Sequence, residues 1–347
     1  MPTTDFLIIG QGIAGTLISY ELCRAGRSFV VIDQPGITNA SHVAGAVINP
    51  VNINSRTIVA NSEIYIPATI DRYRDMEVMM GIPLIKEKPM LVCAPGNCPR
   101  TTQADFRSIT PDEKEYLSRC FYPPDEWWKL EVWQVESHSL LRWWRKYLQE
   151  NGLLLEAFFD NSQLILHPDH IQYKDITAGA IVFCEGAAIR DNPLFASLPF
   201  NRNRGEALLL QVPELDPSCI YHNRVRLVPV EELFWCGSNY TWDYENLQPD
   251  ESWRTQTLDF LKSWLRLPFT VKDHLVAERP TTVGQELMVG QHPQHPAVYL
   301  FNGLGTKGFS MGPFLAKELS QRFIEFSADP VPFVRPLHTW IQGDYLP

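Results

Sequence analysis

The tightest constraint on this chain lies in its first residues, Asp5-Phe-Leu-Ile-Ile-Gly-Gln-Gly-Ile-Ala-Gly15, continued by Val30-Val-Ile-Asp33. Phe6 to Ile9 is an apolar run too short for a helix and ended by glycine, which predicts a buried strand. Gly10, Gly12 and Gly15 then give G-x-G-x-x-G. The first permits a tight turn, the second lets backbone approach a pyrophosphate, and the third lets a helix pack closely on the strand. Ala14, Ile18, Leu22 and Ala25 share one helical face, and Gly26 ends the helix. Phe29 to Ile32 supply a second strand with Asp33 at its carboxyl end. A carboxylate there accepts hydrogen bonds from both hydroxyls of a ribose and repels a 2′-phosphate. A lone glycine pattern fits any buried β-α-β unit. Strand, glycines, helix, glycine and terminal acid in this order point to dinucleotide binding.

Composition narrows the class. The 347 residues suffice for two intertwined domains, and 45% hydrophobic with 20% charged residues describes an ordinary globular chain. A formal charge of −10 argues against a nucleic-acid surface, which needs clustered Lys and Arg. The first strand follows an acidic residue and lacks a basic leader, so no signal peptide is expected, and no apolar run is long enough to span a bilayer. The seven cysteines are scattered; Cys93 and Cys98 lack a second pair, and the nine histidines lack metal-ligand spacing. Free thiols, no metal and a cytoplasmic location are the expectation.

Beyond Asp33 the pattern predicts a loop from Gln34 to Asn39, then the small-residue stretch Ala40-Ser-His-Val-Ala-Gly-Ala-Val-Ile-Asn-Pro50 and a helix over Ser62 to Met80. Small residues let backbone run close to a flat ligand, or equally let a helix and a loop pack tightly. Gly81 to Cys93 is strand-like, with Pro83 and Pro89 confining it to edges or bends. Residues 94–125 read as loop and short helix, and Trp127, Trp128 and Trp133 as core or wall aromatics. A helix is expected over His138 to Glu150, and strands over Leu153 to Phe158, Ser162 to Leu166 and Ala180 to Cys184. Gly205 to Val212, Ile220 to Val230 and Leu233 to Ser238 read as three β segments, the last two a hairpin. A helix over Glu251 to Leu265, a strand over Val298 to Phe301 and a helix over Ser310 to Phe326 follow. The end, 328–347, reads as an extended tail packed by Phe333, Trp340 and Tyr345.

With both ends in view, the sequence resembles the D-amino-acid oxidase family of FAD-dependent oxidoreductases. Four stretches carry the likeness: the fingerprint through Asp33, Ala40-Ser-His-Val-Ala-Gly45, Val182-Phe-Cys-Glu-Gly-Ala187, and Arg279-Pro-Thr-Thr with Asn302-Gly-Leu-Gly-Thr-Lys-Gly-Phe309. The resemblance implies an α/β fold in which a Rossmann-like FAD-binding domain is interleaved with an α+β substrate domain on an antiparallel sheet. The FAD domain would take 1–80, 136–205 and 275–347, and the substrate domain 81–135 and 206–274.

The same resemblance implies the site. FAD would meet Gly10, Gly12, Ile13, Ala14, Gly15, Asp33, Gln34, Ser41, His42, Ala44, Gly45, Gly186, Gly303, Gly305, Thr306, Lys307 and Gly308. Catalytic roles fall to Arg279 as a clamp for a substrate carboxylate, Tyr240 facing substrate, and Lys307 near the flavin pyrimidine edge. Pairing of Arg279 with Glu278, a core or surface role for Tyr240, and a solvated Lys307 are the alternatives; Tyr244 is a second tyrosine to consider. Some relatives link FAD covalently through a histidine placed as His42 is; a non-covalent cofactor is the expectation here. The implied chemistry is hydride transfer from an amine-bearing carbon to flavin N5, giving an imine that hydrolyses. The implied partners are a small amine or amino acid and oxygen or a quinone as acceptor. Removal of a carboxymethyl group from a modified tRNA uridine and oxidation of a 2-hydroxy acid are the alternatives.

Overall fold

The computed structural model describes residues 3–36, 39–53, 57–93, 106–122, 126–325, 327 and 329–341. The N-terminal third holds β1 (Thr3–Ile9), α1 (Ile13–Arg24), β2 (Phe29–Asp33), α2 (Ala40–Val43), β3 (Val47–Ile48), β4 (Val51–Asn52), β5 (Thr57–Ile58), α3 (Ser62–Met80) and β6 (Ile85–Cys93). The middle holds β7 (Arg107–Ser108), α4 (Pro111–Cys120), β8 (Trp127–Val135), α5 (Ser137–Glu150), β9 (Leu154–Glu156), β10 (Leu164–Leu166), β11 (Ile171–Tyr173) and β12 (Ile176–Phe183). Then come β13 (Phe200–Gln211), β14 (Ile220–Asn223), β15 (Val225–Val230), β16 (Leu233–Gly237), α6 (Glu251–Trp264) and β17 (Thr270–Thr282). The chain closes with β18 (Met288–His292), β19 (His295–Asn302), α7 (Gly308–Glu325) and α8 (His338–Ile341).

Two sheets organise these elements. In the first, β1 runs parallel between β2 and β12, with Ile9 opposite Ile32 on one side and Phe183 on the other. Beyond β12 lies β19, also parallel, and beyond β2 lies β9. Side chains on β1 alternate between two cores. Phe6 and Ile8 pack with α1, α3, α5 and α7, whereas Leu7 and Ile9 pack with Ile181, Phe183 and Trp340. Both faces are covered, which is why β1 reads as a continuous apolar run rather than an alternating one. Leu7 and Ile8 are fully buried, each worth about 1.5–3 kcal/mol of transfer free energy.

Helix α1 is buried nearly all round, from Ile13 through Leu22, because it is wedged against the sheet and against α7. The expected four-residue face is thus too narrow, and Ala25 lies exposed beyond the helix end. Gly312 of α7 sits where a Cβ would come 2.8 Å from Leu17, and a Cβ on Gly308 would come 3.0 Å from Ile13. These two glycines bring the N-terminal ends of α1 and α7 together.

The second sheet is mostly antiparallel, ordered β17-β13-β16-β15-β14-β6-β8-β3, with β14 and β6 the parallel exception. The expected hairpin forms between β15 and β16, but Ile220 to Val230 is two strands, turned at Arg224 in the left-handed region (φ 55°). Strand β6 is interior rather than at an edge: it lies between β14 and β8. Pro89 is tolerated because pairing with β14 begins only at Met90. Trp127 belongs to the core, packed with Phe121 and Trp264. The expected tail contains the short helix α8, with Trp340 buried and Phe333 40% exposed; Tyr345 and Phe326 lie outside the described residues.

Thirteen residues of β17 are the element the sequence conceals most. Its stretch Thr270-Val-Lys-Asp-His-Leu-Val-Ala-Glu-Arg-Pro-Thr-Thr shows no clean alternation, yet it pairs with β13 along nearly its whole length. Arg279 lies opposite Asn203, and Ala277 opposite Gly205. Among the described residues no helix is long and apolar enough to cross a membrane.

Candidate active site

Because β2, β1, β12 and β19 are parallel neighbours in that order, their carboxyl ends form one edge, running from Asp33 past Gly10 and Cys184 to Asn302. A cavity of about 460 Å³ lies over this edge and continues onto the second sheet. Ligands of open α/β sheets bind at this edge, where strand order reverses.

At the glycine end, each residue has a separate structural reason. Gly10 adopts φ +98°, and a Cβ there would stand 2.5 Å from the carbonyl oxygen of Cys184. A Cβ on Gly15 would overlap the carbonyl oxygen of Gly10, so Gly15 sets the closeness of helix and strand and is not on the cavity wall. Gly12 forms the uncapped start of α1. The Ile13 N–H donates to Ser41 Oγ (2.9 Å), and the first helical bond runs from Thr16 N–H to Gly12. The N–H groups of Ala14 and Gly15 thus have no acceptor among the described residues, at the positive end of a helix dipole facing the cavity. This suits an anion such as a pyrophosphate.

Asp33 accepts the Gln11 N–H at 2.9 Å and an Arg145 Nη1–H at 2.6 Å. Arg145 is shared, donating also to Glu156 at 2.6 Å. Two lone pairs of the Asp33 carboxylate are left for a ribose. Gln34, Ser41, Ala44, Gly45, Gly186, Gly305, Thr306 and Gly308 all line the same cavity. Trp235 closes one wall: its indole N–H donates to the Val43 carbonyl (2.8 Å), and a Cβ on Gly45 would stand 2.9 Å from its ring. The flat group that requires a small residue at Gly45 is therefore the protein's own tryptophan.

Besides Gly15, three expected contacts are not on the wall. His42 turns its Nδ1 to Asn39 Oδ1 at 3.0 Å, and burial, with His138 nearby, holds its pKa below the usual histidine value. Gly303 supports the loop from behind, in the left-handed region (φ +67°) against Met288. Lys307 donates its backbone N–H to Leu304 (2.7 Å) at the start of α7, and its side chain is not part of the lining.

The second sheet brings Arg279 and Tyr240 together. The Arg279 guanidinium lies 4.6 Å from the centre of the Tyr240 ring, and both line the cavity. Arg279 donates to Asn203 Oδ1 (2.6 Å), the Asn239 carbonyl (3.1 Å) and Ser238 Oγ (2.9 Å), all neutral acceptors. Glu278 turns away, to Arg190 (3.2 Å) and Arg202 (3.8 Å), so the neighbouring acid is not its partner. Burial pulls the Arg279 guanidinium below its ordinary pKa. Three of five N–H donors are used, which leaves two for a ligand. Tyr244 sits elsewhere, its ring 4.5 Å from Arg202 and 5.4 Å from Arg204.

Sequence reasoning missed several lining or supporting groups. Gly205, read only as a strand start, is the floor under the Arg279 guanidinium. Glu185 lines the cavity, lifted to about 7 by burial even though Asn192 donates to it at 2.8 Å. Glu206 and Arg226 line it as well. Nothing in a strand's alternation marks such residues, since each looks like an ordinary polar position.

Comparison with known proteins agrees with this geometry. The family model described as FAD dependent oxidoreductase matches residues 5–322. The glycine oxidase of Geobacillus kaustophilus superposes with a TM-score of 0.77 at 16% identity, covering 96% of this chain and 98% of that one. The iminodiacetate oxidase of Chelativorans sp. BNC1 gives 0.70 at 18% identity, covering 96% and 98%. The L-alpha-glycerophosphate oxidase of Mycoplasma pneumoniae, solved with FAD bound, gives 0.73 at 12% identity, covering 97% and 99%.

Proposed function

The chain belongs to the DAO family of FAD-dependent oxidoreductases, and on that premise we propose that it oxidises the C–N bond of a small amino acid or secondary amine bearing a carboxylate. The cofactor is FAD, and the glycine cradle, the free N–H groups of α1 and the Asp33 carboxylate fit it. When bound, FAD supplies the two-electron acceptor for the amine. The chain's own residues do the rest: Arg279 orients the substrate by its carboxylate, Tyr240 flanks it, and Trp235 walls the cavity against water.

One observation carries this reading. Arg279 is a half-buried cation without an acidic partner among the described residues, held by three neutral acceptors in the cavity that also contains the glycine cradle. A buried charge left unpaired is costly, and an incoming carboxylate relieves that cost. Relatives of this fold act on glycine, iminodiacetate or glycerophosphate, by their names. The planar fork of Arg279 presents two donors to a carboxylate, and two of these three named substrates, glycine and iminodiacetate, are amines that carry one. We assign FAD to the unit built on the first sheet and substrate choice to the second, with FAD held non-covalently and the protein in the cytoplasm.

The test is the visible spectrum of the purified protein, before and after anaerobic addition of glycine, sarcosine, proline and a panel of D-amino acids. Bleaching of the flavin band by one of these establishes the reading. A yellow protein bleached by none of them overturns the small-amine substrate and directs attention to 2-hydroxy acids and to the carboxymethylated uridine of tRNA.

A further inference from the structure

Arg279 is not the only guanidinium facing the cavity. Arg226, at the start of β15, also lines it, half-buried. It stands opposite Gly237 in the β15–β16 register, one residue from the Ser238 that receives Arg279. Among the described residues no hydrogen bond or ion pair engages its side chain. Burial draws its pKa down, and the one group that favours its charge is Tyr240, the tyrosine that stacks on Arg279.

The nearby acids are already committed. Glu206 lines the same cavity but accepts the Asp250 N–H (2.8 Å) and Asn239 Nδ2–H (3.1 Å), and lies 3.2 Å from Arg204 and 3.0 Å from His274. Glu278 serves Arg190 and Arg202. This wall therefore presents two uncompensated positive charges around one phenol. A single carboxylate matches the two donors that Arg279 has left. It leaves Arg226 without an acceptor in a half-buried place, at the cost of an unpaired charge.

We propose that the substrate carries two carboxylates, one held by Arg279 and the other by Arg226, so that the preferred amine is an aminodicarboxylate such as an N-carboxymethyl amino acid. This rests on the amine-oxidation reading above and narrows it to a substrate class.

The experiment compares pairs that differ by one carboxylate. Binding to the FAD-loaded protein is followed by perturbation of the flavin spectrum, with oxydiacetate against methoxyacetate, neither of which has an amine to oxidise. Anaerobic flavin reduction is followed with iminodiacetate against sarcosine. The expected result is a preference for the dicarboxylate of about tenfold or more in both assays, the order expected of one added hydrogen-bonded contact to a charged group. In Arg226→Gln, whose folding is checked by its melting curve, that preference disappears because the dicarboxylate weakens more than the monocarboxylate. Equal binding of the two ligands by the native protein overturns the inference without any variant. So does an Arg226→Gln that weakens both ligands alike, which would place both arginines on one carboxylate. If sarcosine and iminodiacetate both fail to reduce the flavin while oxydiacetate is still preferred, the amine reading falls and the two-anion site stands.

Discussion

Gly205 of β13 lies directly beneath the guanidinium of Arg279 on the neighbouring strand, so close that a Cβ at position 205 would overlap both Cζ and the Nη atoms. The arginine's reach into the cavity is thus set by an absent side chain on the strand beside it. Gly205→Ala needs no left-handed backbone, so its effect is confined to moving the guanidinium. We expect kcat/KM for the amine substrate to fall about 10²-fold, as an ångström-scale misplacement does, with FAD content unchanged. Steady-state kinetics beside the flavin absorbance of the purified variant checks both.

Arg279→Lys keeps the charge but loses the planar fork that engages Asn203, Asn239 and Ser238 together. Removing one partner of a buried charge-assisted contact costs about 2–5 kcal/mol. The expected outcome is a large rise in KM, or in the Kd for non-oxidisable carboxylates, with the FAD spectrum retained. A lysine variant with native KM would show that the fork is not what binds substrate.

Gly10→Ala and Gly12→Ala separate folding from cofactor binding. At Gly10 a methyl meets the Cys184 carbonyl at 2.5 Å and the backbone is at φ +98°. At Gly12 the nearest atom is Ser41 Oγ at 3.2 Å, and φ is an ordinary −74°. We expect Gly10→Ala to lower the Tm of the apoprotein clearly. Gly12→Ala should leave the apoprotein's Tm nearly native and raise the Kd for FAD, measured by flavin fluorescence quenching.

His42 points to Asn39, in the company of His138, Asp33 and Arg145, and not onto the cavity wall. Acid precipitation should therefore release all the yellow colour into the supernatant. Colour retained in the pellet, and lost in His42→Ala, would mean a covalent link.

Glu185 gives a pH dependence with a definite sign. Its folded pKa of about 7 lies above the ordinary 4.5, so between these values the folded chain holds a proton that the unfolded chain has released. The stabilisation is complete below about 4.5 and is lost as pH rises through about 7, by at most about 3 kcal/mol. Glu21, also lifted to about 7 by burial despite lying 2.8 Å from Arg72, titrates in the same window. His222, lowered to about 4 by burial, works in the opposite direction up to its ordinary 6.5, so the carboxyl contribution is read as the difference in apoprotein Tm between the native chain and a variant across pH 5 to 8. Glu185→Gln, which still offers an acceptor to Asn192, should gain Tm relative to the native chain as pH rises from about 5 to 8, and Glu21→Gln should do the same.

The sequence by itself determined the local rules. The apolar run of β1, the glycines after it and the acid ending β2 need only neighbours along the chain to act. A buried parallel strand has no polar face to hide it, and a φ of +98° selects glycine wherever the fold is finally placed. Helix α3 and the start of α7 were legible for the same reason. What only the tertiary structure decided is pairing across the chain. Strand β17 is held by its register with β13, not by any alternation of its own. That register puts Gly205 under Arg279, and the β15–β16 register puts Arg226 beside Ser238. It also turns Glu278 to Arg190 and Arg202 and the His42 ring to Asn39. Whether a charged side chain is a partner or a ligand-binding group depends on which other charges share its surroundings. Those surroundings are assembled from residues dozens to hundreds of positions apart.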